Sequence, residues 1–199
     1  MLPPVTSSSD RRPPRGTQGF SLVELVVVVS LIVIVTGIVA PRLRVSPIRR
    51  VEGMAQQMVA HLELARSHSL GRRQLTRVVF DETNRTYTAY VDDDRNGTIA
   101  EIAAEMDAFP EFGKRELEEF VDFGRGNAAS IPGDSLMLAV TLTDNKLNLS
   151  VQGIPEPWGT MGTVYLVHRS DKNAVAAISI ASSGSFKSWR WWPADGEWR

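Results

Sequence analysis

The sequence predicts an α+β fold: a long N-terminal helix, transmembrane in its first half and amphipathic in its second, packed on an antiparallel β-sheet globular domain. Three observations carry this. Residues 20–40 are almost wholly apolar, residues 51–69 carry an apolar stripe at helical spacing, and beyond residue 74 the pattern changes to short strand-like runs separated by turn residues.

At 199 residues the chain suits one globular domain plus an accessory segment. With 43% hydrophobic and 23% charged residues, most of it can fold around a core. A net charge of −1 gives no bulk attraction to nucleic acid. The absence of cysteine excludes disulfides, thiolate metal sites and cysteine nucleophiles.

The first 19 residues, MLPPVTSSSDRRPPRGTQG, hold paired prolines, a serine run and three arginines, the composition of a polar, unstructured leader. The apolar run follows, FSLVELVVVVSLIVIVTGIVA. As a helix its 21 residues would rise about 31 Å, a bilayer's hydrocarbon thickness. It is too long for the apolar core of an ordinary secretory signal. Glu24 alone interrupts it with a charge, and a carboxylate in that setting is costly unless a cation meets it. Arginines flank the run on both sides (Arg11, Arg12 and Arg15; Arg42, Arg44, Arg49 and Arg50), so the distribution of positive charge does not orient it.

Val51, Met54, Ala55, Met58, Leu62, Ala65 and Ser69 form the stripe of an amphipathic helix over 51–70, ending near Gly71 and Arg72-Arg73. His61 and His68, seven apart on one face, read as solvated histidines rather than a metal pair. Strands are predicted at 75–80, 85–91, 119–123, 136–142, 146–151, 163–169, 174–181 and 185–192. The turns between them include Asp81-Glu82-Thr83-Asn84, Asp144-Asn145 and Ser183-Gly184. Residues 101–119 read as a loop with a short helix.

No catalytic constellation emerges, and no enzyme is expected. His61, His68 and His168 lie outside any metalloprotease or nucleophile-elbow pattern. Asp92-x-Asp94-x-Asn96-Gly97 matches the first half of a calcium loop, but position 12 is Ala103 where a bidentate glutamate is needed. The expectation is an acidic β-turn and no cofactor, with calcium at Asp92, Asp94 and Asn96 the alternative. The C-terminus, Phe186-Lys187-Ser188-Trp189-Arg190-Trp191-Trp192-Pro193 to Glu197-Trp198-Arg199, reads as a core strand and subunit interface. Phe186, Trp189 and Trp191 share one face of that strand only if it carries a bulge. Its few bases stand against Asp195 and Glu197, which argues against nucleic acid.

The hexapeptide Gly19-Phe20-Ser21-Leu22-Val23-Glu24, behind a basic leader and ahead of an apolar run, resembles the signal of type IV pilins and type II secretion pseudopilins. The resemblance implies cleavage after Gly19 by a prepilin peptidase, N-methylation of Phe20, and a role for Glu24 in pairing with a neighbouring subunit's terminal amine during assembly. It also implies other pilins or pseudopilins, an inner-membrane assembly platform and membrane lipid as partners. The location implied is single-pass in the inner membrane, with the C-terminal domain on the periplasmic side. Leu64-Ala65-Arg66-Ser67, Tyr90 to Gly97, and Gly162 to Leu166 with Ile178 to Gly184 resemble the GspH-like minor pseudopilins and the related FimT-like minor pilins, some of which serve DNA uptake. The implied organisation is a leader (1–19), a transmembrane helix (20–40), a helical stalk bent near Pro41 and Pro47 (41–73) and a β-rich domain (74–199).

Overall fold

The computed structural model describes residues 21–39 and 46–199. The chain divides into two compact units, Met1–Arg44 and Val45–Arg199. In the first unit, α1 spans Leu22–Val39. No helix among the described residues is by itself long and apolar enough to cross a membrane. At 18 residues α1 rises about 27 Å. The apolar run continues in sequence through Phe20 and Ala40, which lie outside the described residues, as does the bend expected at Pro41.

The second unit is built on α2, Pro47–Arg72. Pro47 stands in its first turn, where the missing N–H costs nothing and the fixed φ suits a helix. Thus Pro47 opens α2. The buried residues of α2 are the seven of the predicted stripe. They pack on two five-stranded antiparallel sheets. The first is ordered β3-β2-β1-β5-β6, from β1 (Thr76–Asp81), β2 (Thr86–Val91), β3 (Lys114–Glu116), β5 (Lys146–Leu149) and β6 (Pro155–Glu156). The second is ordered β10-β9-β8-β7-β4, from β4 (Val121–Phe123), β7 (Gly162–His168), β8 (Asp171–Ile180), β9 (Phe186–Trp192) and β10 (Glu197–Trp198). One core joins Met58 and Leu62 of α2 to Val78, Phe80, Tyr87 and Leu147 of the first sheet and to Leu166, Ile178 and Phe186 of the second.

The second sheet is buried on both faces. Tyr165, Ala177 and Trp189 lie side by side across β7, β8 and β9 on the face away from the main core. Ile131 packs there, and Ala128 packs on Val167, Val175 and Trp191 beside it. Trp198, brought back by the β9–β10 hairpin, closes the cluster, with its ring 5.3 Å from Trp191 and its indole N–H donating to the Ala129 carbonyl. Double burial explains why β7 and β8 read as continuous apolar runs. The β8–β9 register is regular, so β9 carries no bulge. Phe186 faces the main core, while Trp189 and Trp191 face the outer cluster.

Three further strand expectations need correction. Residues 136–142 form no strand. The free edge of β7 is divided: β4 pairs with Leu166–His168, leaving Ala139 and Thr141 only two backbone hydrogen bonds near Thr163 and Tyr165. Residues 101–119 contain the expected short helix, α3 (Ala103–Asp107), but also β3, which pairs with β2. The β6 and β10 pairings are too short to show as periodicity.

One arginine fastens the two sheets. Arg85, at φ +58° before β2, donates to the carbonyls of Glu118 (2.6 Å), Glu119 (3.1 Å) and Val121 (2.8 Å) and pairs with Asp122 at 2.7 Å. Replacing Arg85 by methionine keeps most of the apolar stem but strips these carbonyls of their donor. The expected loss is about 2 kcal/mol in urea denaturation of a fragment spanning residues 46–199. Unchanged stability would remove the fastening role.

Candidate functional site

Glu24 lies in the first turn of α1, the only charged residue between Leu22 and Val39. Around it the apolar side chains, Leu22, Val23, Leu25, Val26 and onward to Val35, are all exposed. A helix apolar on every side is built to be surrounded by lipid or by other helices. The hydroxyl of Ser30 donates to the Val26 carbonyl at 2.8 Å, so that polar group is satisfied within the helix. Glu24 makes no hydrogen bond or ion pair with any described residue. Among the described residues it therefore combines a carboxylate without a partner and an apolar surface, eased by the positive end of the helix dipole. Gly19 and Phe20 lie outside the described residues.

Asp92, Asp94 and Asn96 do come together, at the end of β2. Asp92 is buried, and its carboxylate accepts the backbone N–H of Asn96 at 3.0 Å and of Gly97 at 2.9 Å. Asp94 accepts both the backbone and side-chain N–H of Asn96. The carboxylates are thus engaged by donors of their own loop, and Gly97 at φ +83° completes the turn. Any cation at this loop would compete with those donors. Among the described residues no group of three or more His, Cys, Asp or Glu side chains is arranged to hold a metal.

His61 and His68 are half-buried rather than fully solvated, because the helix face they share rests on the first sheet and on the segment after α3. The Nδ1 of His61 lies 2.7 Å from the Tyr87 hydroxyl, and His68 stacks on Phe109 at 4.1 Å. Burial lowers the pKa of His61, with Arg115 adding to the effect. Burial also lowers that of His68, aided by Arg72 and opposed by Glu111. Burial pushes the Tyr87 phenol up to about 12. Unfolded histidines titrate near 6.5, so below that pH the unfolded chain binds more protons than the folded one. The histidine contribution is fully present above pH 6.5 and is lost progressively as pH falls toward the lowered folded values. Urea midpoints of the 46–199 fragment should fall between pH 7 and 5, and a His61→Gln, His68→Gln variant should flatten that slope. An equal slope in the variant would exclude the two histidines as its source.

The C-terminal bases are held within the domain. Lys187 lies over the Trp189 ring at 3.6 Å. Arg190 lies over Trp192 at 4.4 Å and pairs with Glu52 at 3.6 Å. Arg199 pairs with Asp195 at 2.7 Å.

Sequence reasoning passed over Trp158. Pro157-Trp158-Gly159-Thr160 is a β-turn with Gly159 at φ +92°, fixed by the Thr160 N–H and hydroxyl both donating to the Pro157 carbonyl. Trp158 stands 87% exposed on it. The Pro-x-Gly pattern was the available signal.

Residues 14–40 match the prokaryotic N-terminal methylation motif. Among solved structures, the chain is similar to the type IV minor pilin FimU of Pseudomonas aeruginosa PAO1, with 13% identity and a TM-score of 0.47 over 76% of this chain and 93% of that one. It is also similar to the minor pseudopilin EpsH of the Vibrio cholerae type II secretion system, with 16% identity and a TM-score of 0.46 over 72% and 95%. No curated protein sequence is detectably similar to it.

Proposed function

We propose that this type IV pilin-like chain is a minor pseudopilin of a type II secretion system, a non-enzymatic subunit anchored in the inner membrane by its N-terminus with residues 46–199 on the periplasmic side. The observation that carries the reading is the methylation motif over residues 14–40 set against α1, apolar on all sides with one carboxylate in its first turn. In this reading prepilin peptidase cuts between Gly19 and Phe20 and the new terminus is methylated. The terminal ammonium of a neighbouring subunit then meets Glu24 as the helices pack. Each charge is expensive alone among apolar side chains, and the pair is tolerable. The other partners are further pseudopilins, the assembly platform and lipid. No cofactor is needed for this role, and calcium at Asp92, Asp94 and Asn96 is not part of the proposal.

The alternative is a FimT-like minor pilin serving pilus assembly or DNA uptake. DNA uptake calls for a free cationic surface, whereas Lys187, Arg190 and Arg199 are stacked on tryptophans or paired with carboxylates. That favours secretion.

Two measurements test this. The intact mass of the protein from its native membranes should match a chain beginning at methylated Phe20. An uncut chain removes the pilin-type reading. Deletion should abolish export of secreted proteins and spare DNA uptake and pilus-dependent motility. The reverse outcome assigns the chain to a type IV pilus.

A further inference from the structure

A concavity of about 740 Å³ lies on the solvent face of the first sheet. Its lining includes Arg77 of β1, Asn148 of β5, Ile99, Gln152, Glu156 and Trp158. It combines apolar surface with a few convergent polar groups, the usual make-up of a small-molecule site. We propose that this groove binds a neutral polysaccharide, with one sugar ring stacked on Trp158.

Four features select that class of ligand. Trp158 is held on a rigid turn as part of the groove's wall, with its indole open to solvent. The ring face is electron-rich and attracts the weakly positive C–H groups on the flat side of a pyranose. The Gln152 amide and Glu156 carboxylate make no side-chain hydrogen bonds with described residues. Asn148 uses only its carbonyl oxygen, at 2.6 Å from Arg77 Nε. These free planar groups suit paired sugar hydroxyls, which both donate and accept. The only cation in the lining, Arg77, is already bound to Glu101 at 2.8 Å, which leaves no site for an anionic chain. An added peptide strand is disfavoured as well. The sheet edge beside the groove is β6, where Pro155 and Pro157 flank Glu156 and neither offers an N–H.

The test uses the full chain in detergent, titrated calorimetrically with hexasaccharides of β-glucan, chitin and mannan, and with heparin as an anionic control. At least one neutral hexasaccharide should bind. Trp158→Ala should weaken that binding at least tenfold without moving the thermal unfolding midpoint, because Trp158 is almost fully exposed. Trp158→Tyr, which keeps a smaller ring, should fall between the two. Gln152→Ala should weaken binding severalfold. Binding of no neutral hexasaccharide, preference for heparin, or equal binding by the Trp158→Ala variant overturns the proposal.

Discussion

Replacing Glu24 by valine is expected to leave the chain in the membrane and processed, yet to reduce its incorporation into filaments by at least tenfold. The substitution makes α1 more apolar, so insertion is helped; removing a carboxylate from a membrane helix saves about 2.5 kcal/mol or more at the bilayer centre and less near the interface. On the proposed pairing, what is lost is the partner for a neighbouring subunit's terminal ammonium. Leaving one member of such a pair uncompensated costs about 3–5 kcal/mol, enough to exclude a subunit from an ordered helix bundle. Glu24→Gln separates charge from hydrogen bonding. It keeps a hydrogen-bonding side chain of the same size and should fail nearly as badly. The readout is crosslinking of the mature subunit to neighbouring pilins in native membranes, with mass spectrometry to show that cleavage after Gly19 still occurs. Normal crosslinking by either variant would falsify the pairing.

The largest stability effect is expected at Gly126, in the loop that covers the outer face of the second sheet. Its φ of +52° is left-handed, costing a non-glycine residue about 1–2 kcal/mol. A Cβ there would also stand 2.2 Å from the Lys172 carbonyl oxygen and 2.9–3.0 Å from methyls of Val167 and Val175. The loop has little room to move, because the Asn127 N–H donates to that same Lys172 carbonyl at 2.9 Å. Shifting it would unseat Ala128, and with it the cover over Val167, Val175 and Trp191. Gly126→Ala should therefore cost about 3 kcal/mol or more, roughly 6–12 °C in Tm for a domain of this size. Gly71→Ala is the control: it lies inside α2 with nothing within 4 Å of the added methyl, and should stabilise by up to about 1 kcal/mol. A Gly126→Ala variant as stable as the parent would mean that the loop is not held as described.

Gly126 also shows where sequence reading stops. Nothing in Gly124-Arg125-Gly126-Asn127 distinguishes a glycine required by a carbonyl 46 residues away from one in a free loop. Strands β1, β2 and β5 of the first sheet were legible from their sequence pattern, clearest where one face is wet and the side chains alternate, as in Thr76–Asp81. Residues 136–142 misled because strand-like composition is local, whereas the β7 edge is shared: β4 takes Leu166–His168 and leaves only an isolated bridge at Val140. The histidines were misplaced because helical spacing gives a face and not what packs on it. At Asp92, Asp94 and Asn96 the acidic turn was readable, while the donors that occupy its carboxylates belong to backbone geometry.

By itself the sequence determined the N-terminal signal, the apolar helix with its single carboxylate, the buried stripe of α2 and most strand positions. All of these are local or periodic properties, set by composition and by repeats of 3.6 and 2 residues. The tertiary structure decided the rest: the partition of strands into two sheets, the outer cluster that takes in Trp189, Trp191 and Trp198, the Arg85 fastening and the exposed Trp158 beside its groove. These depend on which distant segments meet. Strand pairing and the covering of a face are fixed by global packing, and no stretch of sequence a few residues long contains that information.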